Sequence, residues 1–170
     1  PLSRQYSYTE FDLPPAFLTC KIYDIGVDTD GDGRFDYLEV GVEVNVTASG
    51  MFRVEVSGLR DSEKNYISVW DDNSTYLDVG TRVVKVSLYG PRIYTSGLNP
   101  VNVSYIGLYK RVGTFPSYYY SYIDRLYDAP LSREYSYTEF DAPLTDVETV
   151  FTVYPDGQVG LGGSLSQTPE

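Results

Sequence analysis

A strict two-residue alternation is the strongest constraint on the fold. From Asp36 to Thr47 the chain reads DYLEVGVEVNVT. Leu38, Val40, Val42, Val44 and Val46 fall on one side, and Tyr37, Glu39, Gly41, Glu43 and Asn45 on the other. A helix would scatter those five aliphatic side chains around its axis, whereas a pleated strand gathers them on one face. The pattern recurs in MFRVEVSG (Phe52, Val54, Val56), TRVVKVSLYG (Val84, Val86, Leu88) and PVNVSYIGLYKRV (Val101, Val103, Tyr105, Tyr109). Turn signals lie between these runs at Ala48-Ser49-Gly50, Asp71-Asp72-Asn73-Ser74, Val79-Gly80, Gly90-Pro91 and Asn99-Pro100. No stretch shows helical period, and 18 Tyr, 15 Gly and 10 Pro favour strands and turns. The pattern predicts an all-β chain, an antiparallel β-sandwich or jelly roll of the immunoglobulin-like class with extended terminal strands. Tyr118-Tyr119-Tyr120 reads as a strand with one aromatic face against the core.

Composition then narrows the function classes. Hydrophobic residues make up 42%, enough for a core. A net charge of −11 argues against nucleic acid and against an anionic membrane surface, and suits hard cations that take carboxylate oxygen. With no His, the Ser-His-Asp and Cys-His arrangements and imidazole zinc sites are excluded. Cys20 is the lone Cys and reads as a small buried hydrophobe. No pair of carboxylates stands out at a spacing that would suggest glycoside hydrolysis, so no enzymatic activity is expected. No run approaches the ~20 apolar residues of a membrane helix. The opening at Pro1, without Met or a basic-then-apolar leader, fits a processed chain or a piece of a longer one.

The chain also repeats itself. Residues 1–14 read PLSRQYSYTEFDLP and residues 130–143 read PLSREYSYTEFDAP, differing only at Gln5/Glu134 and Leu13/Ala142. An offset of 129 residues is about the size of one sandwich domain. The division that follows is a linking or donor strand at 1–12, a sandwich over 13–143, and a strand–turn–strand tail at 144–170. In that tail VETVFTVY is followed by a turn at Pro155-Asp156-Gly157. Either SRxYSYTEFD is the closing strand of a domain, or one copy leaves its subunit to complete a neighbour by β-strand addition. Tyr6, Tyr8 and Phe11 are the candidate inter-subunit side chains. Both alternatives imply an end-to-end array of copies of this chain.

Residues 28–39 read DTDGDGRFDYLE. Asp28, Asp30 and Asp32 occupy positions 1, 3 and 5 of a twelve-residue calcium loop, with Gly33 at the sharp turn, the Arg34 carbonyl at 7, Asp36 at 9 and Glu39 at 12. The flanks read as strands, so a structural Ca2+ site between strands is expected, not a helix–loop–helix sensor. If a strand begins at Asp36, then Asp36 and Glu39 face opposite ways, and Asp24 is the substitute carboxylate. Of five Asn, Asn45, Asn73 and Asn102 begin N-x-[ST] triplets. They point to N-linked glycans and an extracellular surface, with Asn45 on the polar face of its strand and Asn73 in a turn.

The runs DTDGDGRFDYLEVGVEVNVT, NSTYLDVG, IYTSGLNPVNVSYIGLY and YSYTEFDAP together resemble a repeat domain of large secreted surface proteins of hyperthermophilic archaea, also appended to secreted subtilisin-like proteases. The resemblance covers roughly residues 13–143 and implies a calcium-stabilised β-sandwich in an extracellular setting. The duplicated segment is similar in logic to archaeal threads and pili joined by donor strands. The combined expectation is a structural subunit of a surface filament or surface layer. The alternative is an accessory module gripping polysaccharide through exposed Tyr and Trp70.

Overall fold

The computed structural model describes residues 13–143 in full and the backbone of Val150–Val153 and Val159–Gly162. Residues 13–143 form a two-sheet antiparallel sandwich. Its strands are β1 (Ala16–Val27), β2 (Tyr37–Val46), β3 (Gly50–Arg60), β4 (Tyr66–Leu77), β5 (Gly80–Tyr89), β6 (Asn102–Thr114) and β7 (Ser117–Pro130), with a short helix α1 (Gly90–Ser96) before β6. One sheet has the order β1-β2-β5 and the other β4-β3-β6-β7. The tail contributes β8 (Val150–Val153) and β9 (Val159–Gly162), which pair antiparallel. Tyr6, Tyr8, Phe11 and the turn at 155–157 lie outside the described residues.

The alternation selects the core. Leu38, Val40, Val42, Val44 and Val46 are all at most 1% exposed, and Phe52, Val54 and Val56 of the opposite sheet are wholly buried. Val84, Val86 and Leu88 complete the first sheet's inner face. Glu39, Gly41 and Glu43 face outward, where Lys85 pairs with Glu39 at 2.8 Å. Burying branched aliphatic side chains from two facing sheets at about 1.5–3 kcal/mol each is the main stabilisation. At one flank the edge strands β1 and β7 are stitched together, the Leu18 amide donating to Asp124 Oδ2 at 2.9 Å.

Four local expectations are corrected. In β6 the buried hydrophobic residues beyond Val103 are Ile106 and Leu108, while Tyr105 and Tyr109 turn outward and join hydroxyl to hydroxyl at 3.1 Å. A tyrosine's polar tip needs a partner or water, and the outer face supplies it. The Tyr118–Tyr120 run does form strand, but on an edge, with Tyr118 and Tyr119 exposed instead of set against the core. Asp71-Asp72-Asn73-Ser74 is not a turn but the middle of β4, paired with Val56, Glu55, Val54 and Arg53 of β3. Cys20 is exposed, because the β1–β2 register shifts between Leu18 and Ile22 and Cys20 takes φ 65 in that bulge. The short helix α1 is too brief for a period to show. Pro91 opens it, Gly97 at φ 66 closes it, and Ile93 anchors it in the core.

Candidate functional site

The loop joining β1 to β2 gathers three carboxylates. Oxygens of Asp28, Asp30 and Asp36 lie within 4.8 Å of one another. Short aspartates hydrogen-bond nearby backbone and so fold such a loop locally. Asp28 accepts from the Gly31 amide at 2.7 Å and the Gly33 amide at 3.0 Å, and Asp32 accepts from the Arg34 amide at 2.8 Å. Gly31 at φ 82 and Gly33 at φ 90 take the left-handed turns that the winding needs. Asp36 accepts from the amide and hydroxyl of Thr29, and these bonds hold its carboxyl below the usual carboxylate range.

Asp32 and Arg34 line the same hollow as Asp30 and Asp36. Glu39 does not join the cluster; it lies in β2 and pairs with Lys85 on the outer sheet face. Asp24 does not supply the missing carboxylate either, being engaged elsewhere. Asp141, unforeseen from the sequence, faces this hollow from the far end of the chain. Burial, a hydrogen bond with Asp36 and the charges of Asp32, Asp36 and Asp30 push its carboxyl up. The side-chain oxygens gathered here are all carboxylate, a ligand type that hard cations take.

Asp141 arrives there as part of the duplicated segment. The expected closing strand is not a strand: beyond Pro130 the chain runs irregularly, its Leu131 and Tyr135 amides donating to the Val101 and Pro100 carbonyls, makes a single 3-10 turn at Tyr137–Glu139, and forms one isolated parallel bridge, Phe35 to Phe140. The segment is built as a clamp. Ser136 and Glu139 cap each other's backbone across the turn. Arg133 grips Glu139 through two bonds at 2.8 and 2.9 Å and lies 3.9 Å over the Tyr135 ring. That pairing lowers the Glu139 carboxyl and raises the Arg133 guanidinium.

Side chains hold the clamp to the sandwich. Tyr135 is 2% exposed and Phe140 wholly buried. With Phe35 they form a three-ring cluster, the centroids 5.7 to 6.4 Å apart. Such edge and tilted packings add about 0.5–1.5 kcal/mol each beyond area burial. Phe35, the apolar position of the acidic loop, is thus the clamp's floor. Its ring lies across Gly26, where an added Cβ would meet ring carbons at 2.4 Å. Asp24 is the polar anchor: it accepts from the Ser132 amide, the Ser132 hydroxyl and the Tyr135 hydroxyl, all at 2.7 Å. Burial first, and then the bond to Asp24, push the Tyr135 hydroxyl up to about 12. Backbone bonds join Phe35 to Glu139 and Asp141, at 2.8 and 3.1 Å.

The sequon asparagines all lie in strands. Asn45 is half-buried in central β2, Asn73 is exposed in β4, and Asn102 opens β6. The outer face of β6 and β7 is aromatic: Tyr105 packs with Tyr127, Tyr109 with Tyr122, and Arg53 lies between Tyr109 and Tyr120. Trp70 is 69% exposed on β4.

No protein-family model matches the chain, and neither a curated protein nor a solved structure matches it. Among the described residues no helix is long and apolar enough to cross a membrane.

Proposed function

We propose that this chain is an extracellular structural protein, a subunit or tandem-repeat segment of a surface filament or surface layer, joined end to end through its duplicated segment. The observation that carries this reading is the clamp. One copy of the segment is an interface element, laid side chain by side chain onto a sandwich whose two sheets are already complete. A chain that holds two copies of such an element and, among its described residues, one surface that receives it has one copy in surplus. A surplus interface element is what an array needs.

Ca2+ is the proposed ion, held by Asp28, Asp30 and Asp36 with Asp32, the Arg34 carbonyl and Asp141 close by. Its role is structural. Neutralising the gathered carboxylates would pin the β1–β2 turn against the clamp, and external calcium is abundant enough to fill even a weak site. N-linked glycans at Asn45, Asn73 and Asn102 are part of the same extracellular reading. No catalytic role is assigned to any residue.

The test is electron microscopy and sedimentation of the purified chain at about 1 mM in millimolar calcium, where docking between chains competes with a tethered copy of the same segment. Filaments with an axial repeat of roughly 4 nm, one sandwich length, are expected. A second reading rests on Trp70 and the tyrosine face of β6–β7, which suit a polysaccharide. Particles that stay monomeric and bind glycans would favour it over the filament.

A further inference from the structure

We infer that residues 1–12 are a ligand for the clamp surface of a second copy of this domain, docking there in trans through Ser3, Tyr6 and Phe11. This deepens the end-to-end reading and rests on it. The clamp's anchors are Ser132 and Tyr135 on Asp24, Phe140 on Phe35, and the internal Arg133–Glu139 brace. Their counterparts 129 residues earlier are Ser3, Tyr6, Phe11, Arg4 and Glu10, without one substitution. Within 1–12 only Gln5 differs, replacing Glu134. Glu134 uses its side chain to accept from Asn99 Nδ2 at 3.2 Å, and the Gln carbonyl can accept the same bond.

Reach decides between the chain's own surface and a neighbour's. Docked as the clamp is, Asp12 would sit where Asp141 sits, bonded to the Phe35 carbonyl. Phe35 lies just beyond Tyr37, which pairs with Val27 at one end of β1, whereas Ala16 pairs with Val46 at the other end. That length of β2 spans roughly 30 Å. Leu13, Pro14 and Pro15 are all that separates Asp12 from Ala16, and four Cα steps cover at most about 14 Å. The chain's own clamp surface is therefore out of reach in this pose, and it is filled by residues 131–141. A second copy placed with its acidic-loop end against the donor's Ala16 end meets the requirement. The contact is head-to-tail and propagates unless it closes into a ring. Leu13, 80% exposed and the other position that differs between the repeats, would lie at that joint.

Each clamp surface then has two claimants, and the tethered one has the advantage of an effective concentration on the order of millimolar. The test uses full-length chain and measures mass by sedimentation and mass photometry. Ser132→Ala/Tyr135→Phe removes the two hydroxyl bonds to Asp24, keeps the bond from the residue-132 amide, and leaves both rings in place. Association is expected at about tenfold lower chain concentration than wild type, because only the cis claimant is weakened. Adding Ser3→Ala/Tyr6→Phe should abolish that gain. A folded Ser132→Ala/Tyr135→Phe chain that associates no more readily than wild type overturns the inference, as does association indifferent to the Ser3 and Tyr6 changes. Should the variant fail to fold, a labelled peptide of residues 1–12 is titrated against wild-type chain. Half-saturation near millimolar is expected, with loss of binding in the Phe11→Ala peptide, and a peptide that does not bind overturns the inference. Filaments that survive Phe11→Ala would leave the structural reading standing and sink this one. Association that depends on Ser3 and Tyr6 but stops at closed rings would do the reverse.

Discussion

Strand β7 and the clamp that follows it are neighbours in sequence and are held by different physics. From Ser117 to Pro130 the chain lies along β6 in a long backbone ladder broken by one register shift, while most of its tyrosines face solvent. From Leu131 to Asp141 there is almost no ladder, and Leu131, Tyr135 and Phe140 are buried. A ladder uses groups that every residue carries, so it tolerates substitution and has little power to recognise a partner. A clamp uses particular side chains in particular sites, so it is specific and transferable to any surface with the same sites. That is why the second region, and not the first, is the one proposed as a connector.

The sharpest way to break the comparison is Phe140→Ala. Emptying a fully buried ring site should cost about 3–5 kcal/mol in denaturant unfolding. Calcium comes next. If Asp28, Asp30 and Asp36 hold the ion, saturation at about 100 times Kd stabilises by about 2.7 kcal/mol. Chelation should lower Tm and Asp30→Asn should remove the difference; an unchanged melting curve with and without calcium would falsify the site.

Tyr135→Phe keeps the ring and loses the bond to Asp24, for about 1–2 kcal/mol. It also carries a pH signature. A Tyr whose folded value is raised from 10.0 to about 12 contributes stability that is complete below pH 10 and lost as pH rises toward 12. Unfolding titrations should show that alkaline loss in wild type and a smaller one in Tyr135→Phe; identical limbs would show that Tyr135 is not buried against Asp24. The smallest effect belongs to β7. Tyr119→Ser, on an exposed edge, should change stability by no more than about 0.5 kcal/mol. A cost near that of Phe140→Ala would erase the distinction between ladder and clamp.

The two-sheet architecture was readable because an alternating pattern is a local property: Leu38 and Val46 reveal their shared face without reference to any distant residue. The acidic loop was readable for the same reason, since Asp28, Asp30 and Asp36 are close in sequence and their short side chains fold the turn themselves. Assignments failed where a partner lay far off. Asn73 and its neighbours carry turn chemistry but were drawn into β4 by pairing with β3. Cys20 was expelled by a shift of register against β2, invisible from β1 alone.

What the sequence by itself determined is which residues can share a face, that an acidic, glycine-containing loop joins two strands, and that one segment occurs twice. Only the tertiary structure decided what the second copy of that segment, residues 131–141, does. Its meaning lies in Asp24 and Phe35, more than a hundred residues from the side chains they receive, and in Asp141 brought to the edge of the acidic loop. Periodicity reports the surroundings a residue needs. Which distant residue supplies them is settled only when the sheets have packed and a surface of the right shape and polarity exists to be filled.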